Sequence, residues 1–103
     1  SIFLNLITNA LRYSDPTRKL EISITSEEVD DEILLRFKDN GVGINLERNS
    51  DKLFGLYQRF HDYPDSKGLG LYLVKSQVTS MGGTITVESE LGKGSCFILA
   101  FKK

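Results

Sequence analysis

Three clusters of chemically capable residues occur in a fixed order along the chain: NLITNALRY from Asn5 to Tyr13, DNGVGI from Asp39 to Ile44, and KGLGL from Lys67 to Leu71. In the first, Asn5 and Asn9 stand four apart, so on a helix their amides share one face, with Arg12 on the same stripe. Asn is a poor helix former, and a plain solvent face would use Glu, Lys or Gln. Two amides on one stripe therefore favour a ligand over a merely exposed polar face. A neutral amide oxygen can complete the octahedron of Mg2+ while phosphates supply the charge, and Arg12 can meet a phosphate directly. The second cluster sets a carboxylate, Asp39, beside tight glycine turns. Asp, Asn and Gly also dominate ordinary turns, so the string is only moderately specific. Its chemistry would be a partly buried carboxylate accepting a hydrogen bond from an adenine amino group, with Gly41 and Gly43 letting the backbone approach the flat ring. In the third cluster Gly68, Leu69, Gly70 and Leu71 open a helix, where unpaired N–H groups and the dipole favour phosphate. Small residues that only permit close packing explain that cluster, taken alone, nearly as well. Metal, base and phosphate together read as a nucleotide site.

Other candidates weigh less. Gly92-Lys93-Gly94-Ser95 is mainly a hairpin turn, although Ser95 could also reach the base side of a pocket. His61, the single histidine, lies in a long loop with no second metal ligand near it in sequence, which makes a surface histidine the better reading. Phe54, Tyr57 and Phe60 are most simply apolar anchors for that loop.

The elements that must position these groups follow from periodicity. Residues Ser1 to Tyr13 are helical in pattern, with Ile2, Phe3, Leu6, Ile7, Ala10 and Leu11 on one arc, and Asp15-Pro16 stops the helix. Leu20, Ile22 and Ile24 alternate with polar residues, as do Ile33, Leu35 and Phe37. They predict two strands joined by SEEVDDE as a solvated turn. Asp39 to Lys67 forms a long connection, with short helices around Leu46 to Arg48 and Lys52 to Tyr57, and a connection of that length is usually functional or mobile. A second helix runs from Gly68 to Met81 with Leu71, Val74, Val78 and Met81 inward, ended by Gly82-Gly83. Thr84 to Ser89 and Cys96 to Phe101 are strands around a turn at Leu91 to Gly94. Alternation records one-sided burial, so the fold class is α/β: a two-layer α/β sandwich with a mixed, mostly antiparallel sheet and helices on one face.

At 103 residues the chain suits one domain, and its 40% apolar and 26% charged composition is that of a globular protein. A net charge of -1 leaves no basic footprint for nucleic acid. No apolar run approaches the roughly 20 residues of a membrane span and no signal peptide is visible, so no direct membrane contact is expected. Cys96, alone, excludes an internal disulfide and fits a reducing compartment; in its apolar run it reads as a small buried residue. Ser1 enters a helical pattern at once, which looks like a piece of a longer polypeptide.

These motifs resemble the ATP-binding catalytic domain of sensor histidine kinases, in the superfamily that includes DNA gyrase, the Hsp90 chaperone and the MutL repair proteins. NLITNALRY is similar to the N box of that family, DNGVGI to its first glycine box, LFGLYQRF to its phenylalanine box, and KGLGL to its second. GGTITVESELGKGSCF resembles the closing strands. The resemblance covers essentially the whole of residues 1–103 and implies a Bergerat-type ATP-binding fold, N-terminally truncated. The family's first strand and helix and its dimerisation and phosphoacceptor domain would be missing. It implies ATP and Mg2+ as ligands, with Asn9 as main magnesium ligand and Asn5 assisting. Arg12 would stand where Lys is usual, Tyr13 at an aromatic lining position, and Asp39 on the adenine amino group between Gly41 and Gly43. Arg59 would act as a lid arginine near the terminal phosphate, and Gly68 and Gly70 would offer amides to the phosphates.

The resemblance also implies chemistry. Hydrolytic members carry Glu where Asn5 stands, as the base that activates water, and an amide cannot take that proton. Asn5 thus implies transfer to a histidine, against a hydrolytic ATPase or the anti-sigma serine kinases. A nucleotide-sensing module that transfers nothing is the other alternative. The expected activity is a protein histidine kinase whose acceptor lies on another, histidine-bearing domain of the parent, so the chain alone is expected not to phosphorylate itself. A response regulator receiver domain is the expected downstream partner. A cytoplasmic location is expected, with the parent free to be membrane-anchored, and a truncated sheet is expected to show reduced stability or association through its bare edge. Two departures stand out: Ser66 replaces the first glycine of the usual G-x-G-L-G-L string, and the lid between Arg59 and Gly68 is short.

Overall fold

The chain is seen in a computed structural model that describes residues 2–45 and 70–103. Helix α1, Ile2–Arg12, buries Leu6 and Ala10, with Ile2 and Ile7 packed against the same core. Phe3 and Leu11, on the predicted arc, remain exposed, because six apolar positions span more of the cylinder than one contact face covers. The helix closes where Tyr13 N–H donates to the Asn9 carbonyl at 3.0 Å and the Ser14 hydroxyl to the Leu11 carbonyl at 3.0 Å. Pro16 then disfavours helical backbone at Asp15.

Strands β1, Ile22–Val29, and β2, Glu32–Asp39, form the expected hairpin, but SEEVDDE is mostly strand. The acids do not break the ladder because cations meet them: Glu27 pairs with Arg36 at 3.0 Å and Glu28 with Lys103 at 3.0 Å. The turn shrinks to Asp30-Asp31, with Asp30 at φ 55, a left-handed backbone that Asp tolerates. Helix α2, Gly70–Ser80, leads to β3, Thr84–Glu90, and β4, Gly94–Lys102. Met81, predicted inward, is 64% exposed: α2 ends at Ser80 and Gly82, at φ +78, turns the chain away.

The four strands lie in the order β1-β2-β4-β3, and every pairing among the described residues is antiparallel. The register sets Phe37 opposite Phe97, Leu35 opposite Leu99, and Val87 opposite Phe97, so the odd-numbered residues of β2, β3 and β4 make one apolar face. Leu6 and Ala10 of α1 and Leu71, Val74 and Val78 of α2 share a single core cluster with Phe37, Phe97 and Leu99. Both helices therefore cover that one face, and they also lie against each other. Each buried Leu, Val or Phe among them contributes on the order of 1.5–3 kcal/mol. Cys96 falls on the even-numbered, outer face between Lys38 and Glu88 and is half-buried, not a core residue. Among the described residues no helix is long and apolar enough to cross a membrane.

Candidate nucleotide-binding site

Asp39 ends β2 on the core face, two residues beyond Phe37 in the same alternation. It is 8% exposed, as is Ser95, which the register places directly opposite on β4. Burial pushes the Asp39 carboxyl above its ordinary value, and backbone N–H groups of Gly41 and Ser95 pull the other way without cancelling the shift. Gly41 N–H donates to Asp39 Oδ1 at 2.8 Å. The arrangement is a desolvated carboxylate oriented by backbone N–H groups.

The turn after Asp39 is held from both sides. Val42 N–H donates to the Tyr13 carbonyl at 3.0 Å, joining it to the end of α1, and Gly92 N–H donates to the Val42 carbonyl at 2.9 Å, joining it to the β3–β4 turn. Glycine is required by this crowding. A Cβ on Gly41 would press on the Tyr13 carbonyl and stand 2.9 Å from Asp39 Oδ1, and one on Gly43, at φ +80, would collide with the Glu90 carbonyl. Asn40 points the other way and fastens the start of β1: its Oδ1 accepts Glu21 N–H at 2.8 Å and its Nδ2 donates to the Lys19 carbonyl at 2.9 Å.

Ser89 is a participant that sequence reasoning passed over. Its Oγ accepts the buried Ile44 N–H at 2.8 Å and lies 2.8 Å from the Gly94 carbonyl and 2.7 Å from Ser95 Oγ. The parity of Ile85, Val87 and Ser89 held the signal, since it puts this hydroxyl on the inward face of β3.

Asn5, Asn9, Arg12 and Tyr13 are all half-buried at α1, and the Tyr13 link brings that helix end to the Asp39 turn. Among the described residues no group of three or more His, Cys, Asp or Glu could hold a metal. Neutral amides at Asn5 and Asn9 fit a Mg2+ that arrives with phosphate, not one held by protein charge. The glycine cradle and the desolvated Asp39 fit a flat base bearing an amino group. Gly70 opens α2; the Leu71 side chain is buried in the core, so a phosphate could meet only its backbone N–H. Arg59, Gly68 and Leu69 lie outside the described residues, as do Ser66, His61, Phe54, Tyr57, Phe60 and the two short helices predicted between 46 and 57.

A family model described as histidine kinase-, DNA gyrase B-, and HSP90-like ATPase matches residues 1–103. The sensor protein SrrB of Staphylococcus aureus (strain NCTC 8325 / PS 47) is 38% identical over 105 residues, covering 99% of this chain and 18% of its own length. The chain thus spans about a fifth of the relatives it matches. Among solved structures, a mycobacterial sensor histidine kinase, MprB, superimposes with TM-score 0.82 at 24% identity, over 98% of this chain and 69% of that one, a likeness of fold. Full-length ShkA in complex with AMPPNP superimposes with TM-score 0.78 at 26% identity, over 96% of this chain and 20% of that one.

Proposed function

The chain belongs to the histidine kinase-, DNA gyrase B- and HSP90-like ATPase family, and from that premise we propose that it serves as the ATP-binding catalytic domain of a sensor histidine kinase. In this reading it delivers the γ-phosphoryl of Mg-ATP to a histidine on another domain of the parent protein. The observation that carries the proposal is Asp39: a desolvated carboxylate at a glycine turn, oriented by the backbone N–H groups of Gly41 and Ser95, which suits it to accept from an adenine amino group. The AMPPNP-bound ShkA relative supports the same ligand class.

Each residue then has a task. Asp39 reads the amino group, Gly41 and Gly43 let the turn pack closely enough to present it, and Tyr13 and Ser95 line its surroundings. Asn9, with Asn5, would ligate Mg2+, which neutralises triphosphate charge as the phosphoryl departs. Arg12 and the amides of Gly68, Leu69, Gly70 and Leu71 would hold phosphate oxygens, and Arg59 the terminal one. Asn5 offers no base for water, which favours transfer over hydrolysis. The partners in this reading are the histidine-bearing dimerisation domain and, through it, a receiver domain of a response regulator, all in the cytoplasm with ATP.

Calorimetric titration with ATP, with and without Mg2+, tests the site. The wild-type chain should bind in a magnesium-dependent way. Asn9→Ala should lose the magnesium dependence and Asp39→Ala most of the affinity. If both variants bind as tightly as wild type, the assignment fails.

A further inference from the structure

Resting on the nucleotide reading above, we infer that Arg18 is a positioning residue for adenine recognition, acting through the Gly41 peptide on Asp39. Its two terminal nitrogens are committed to different segments. Nη1 donates to the Gly92 carbonyl at 2.7 Å, and Nη2 donates to the Gly41 carbonyl at 2.8 Å. Asp15 Oδ2 meets Nη2 at 3.2 Å, and Asp15 Oδ1 is itself fixed by the Thr17 N–H at 2.9 Å and hydroxyl at 2.6 Å.

The bonds close a ring. From Arg18 it passes to the Gly41 carbonyl, along the chain to the Val42 carbonyl, across to Gly92 N–H, and back from the Gly92 carbonyl to Arg18. The peptide between Gly41 and Val42 is thereby gripped at both ends, its carbonyl by Arg18 and its N–H by the Tyr13 carbonyl. Gly41 has no side chain to resist rotation of that peptide, so the grip is what keeps the turn in one conformation. The preceding peptide carries the Gly41 N–H that holds Asp39 Oδ1, and a turn free to flip would release it. A planar fork with nitrogens at fixed separation can bind two carbonyls at once, whereas a lysine ammonium reaches them only as a point charge. Both terminal nitrogens of Arg18 are taken up by backbone carbonyls and Asp15, so it acts on recognition through the direction it gives Asp39.

The test is calorimetry on the 103-residue chain with Mg-ATP and with purine riboside triphosphate, which lacks the amino group that Asp39 would read. Arg18→Lys should weaken ATP about tenfold, the loss of a charge-assisted hydrogen bond, while changing purine riboside triphosphate less than about twofold. In an Asp39→Asn background the same substitution should cost less than about twofold, because the group it positions is gone. Asp15→Asn should show the same ATP-selective loss more weakly, and it decides in the same terms if Arg18→Lys does not fold. Equal losses for both nucleotides, or losses that add to that of Asp39→Asn, would reveal a merely structural arginine and overturn the inference, as would ATP binding within twofold of wild type. If Asp39→Asn binds ATP like wild type, or wild type binds none, the adenine reading itself falls.

Discussion

Replacing Gly43 by alanine separates two effects that usually travel together, because the fold provides a matched control. Gly43 and Gly82 share nearly the same positive φ, +80 and +78. An alanine at either position must adopt a left-handed conformation, at about 1–2 kcal/mol. At Gly82 the added Cβ meets nothing within 4 Å, so that conformational cost is the whole effect. At Gly43 it runs into the Glu90 carbonyl oxygen and stands 3.0 Å from Leu91 Cα, both backbone atoms that cannot swing aside. Overpacking against a fixed neighbour costs about 1–3 kcal/mol more. Gly43→Ala should thus lose about 2–5 kcal/mol and Gly82→Ala about 1–2 kcal/mol. Urea unfolding reads the difference: with a slope of about 1–3 kcal/mol per molar, a further 2 kcal/mol lowers the midpoint by roughly 1 M. Nucleotide affinity should fall in Gly43→Ala and stay unchanged in Gly82→Ala. Stabilities within about 0.5 kcal/mol of each other would refute the reasoning, since the 41–45 turn would then be yielding instead of wedged against the β3–β4 turn.

Asp39→Asn should leave the nucleotide-free fold as stable as wild type or more so near neutral pH, yet weaken ATP about 10- to 100-fold. An amide has one acceptor oxygen where the carboxylate offers two, and the backbone N–H groups of Gly41 and Ser95 compete for it with the adenine amino group. Because the folded carboxyl binds its proton more tightly than the unfolded one, stability should fall as pH rises from 3.8 through the raised native value and then level off, a slope that urea titrations of Asp39→Asn should lack. ATP affinity should run the other way, falling as pH drops through that same raised value. Ser89→Ala strands the Ile44 N–H and should cost about 1–3 kcal/mol in urea unfolding; a cost under about 0.5 would mean another acceptor takes over. Calorimetry with Mg2+ alone should give no heat of binding, since the half-buried amides bring no charge; tight binding without nucleotide would contradict the assignment of Asn5 and Asn9.

Much of this arrangement was legible wherever the signal was local. The alternation of Ile33, Leu35 and Phe37 named the inward face of β2, although the strand read as ending at Phe37 and in fact runs on to carry Asp39 on that same face. What escaped depended on contacts between distant segments. SEEVDDE looked like a turn because its charges lacked visible partners; Arg36 and Lys103 supply them from across the sheet. Cys96 looked buried because its apolar neighbours carry no mark of register, which sets it beside Lys38 and Glu88. Phe3 and Leu11 share an arc with Leu6, and only tertiary packing decides which part of an arc is covered. Arg18 stood in a polar turn with nothing local to distinguish it, and its bond to Gly92 spans 74 positions. The family resemblance implied which residues would meet a ligand, but it carried no account of what braces them.

The hairpin of β1 and β2 has a practical corollary. Strand side chains alternate, so one residue inserted within β2 would turn Asp39 outward and bring Lys38 into its inward place opposite Ser95, exchanging carboxylate for ammonium in the pocket. The Asp30-Asp31 tip is different. It lies eight residues from Asp39 at the far end of β2, about 26 Å away at about 3.3 Å per residue, with the Glu27–Arg36 and Glu28–Lys103 pairs bracing the ladder between. An epitope or fluorophore spliced in there would lengthen a loop without shifting the register, giving a reporter for this domain that leaves the pocket end untouched.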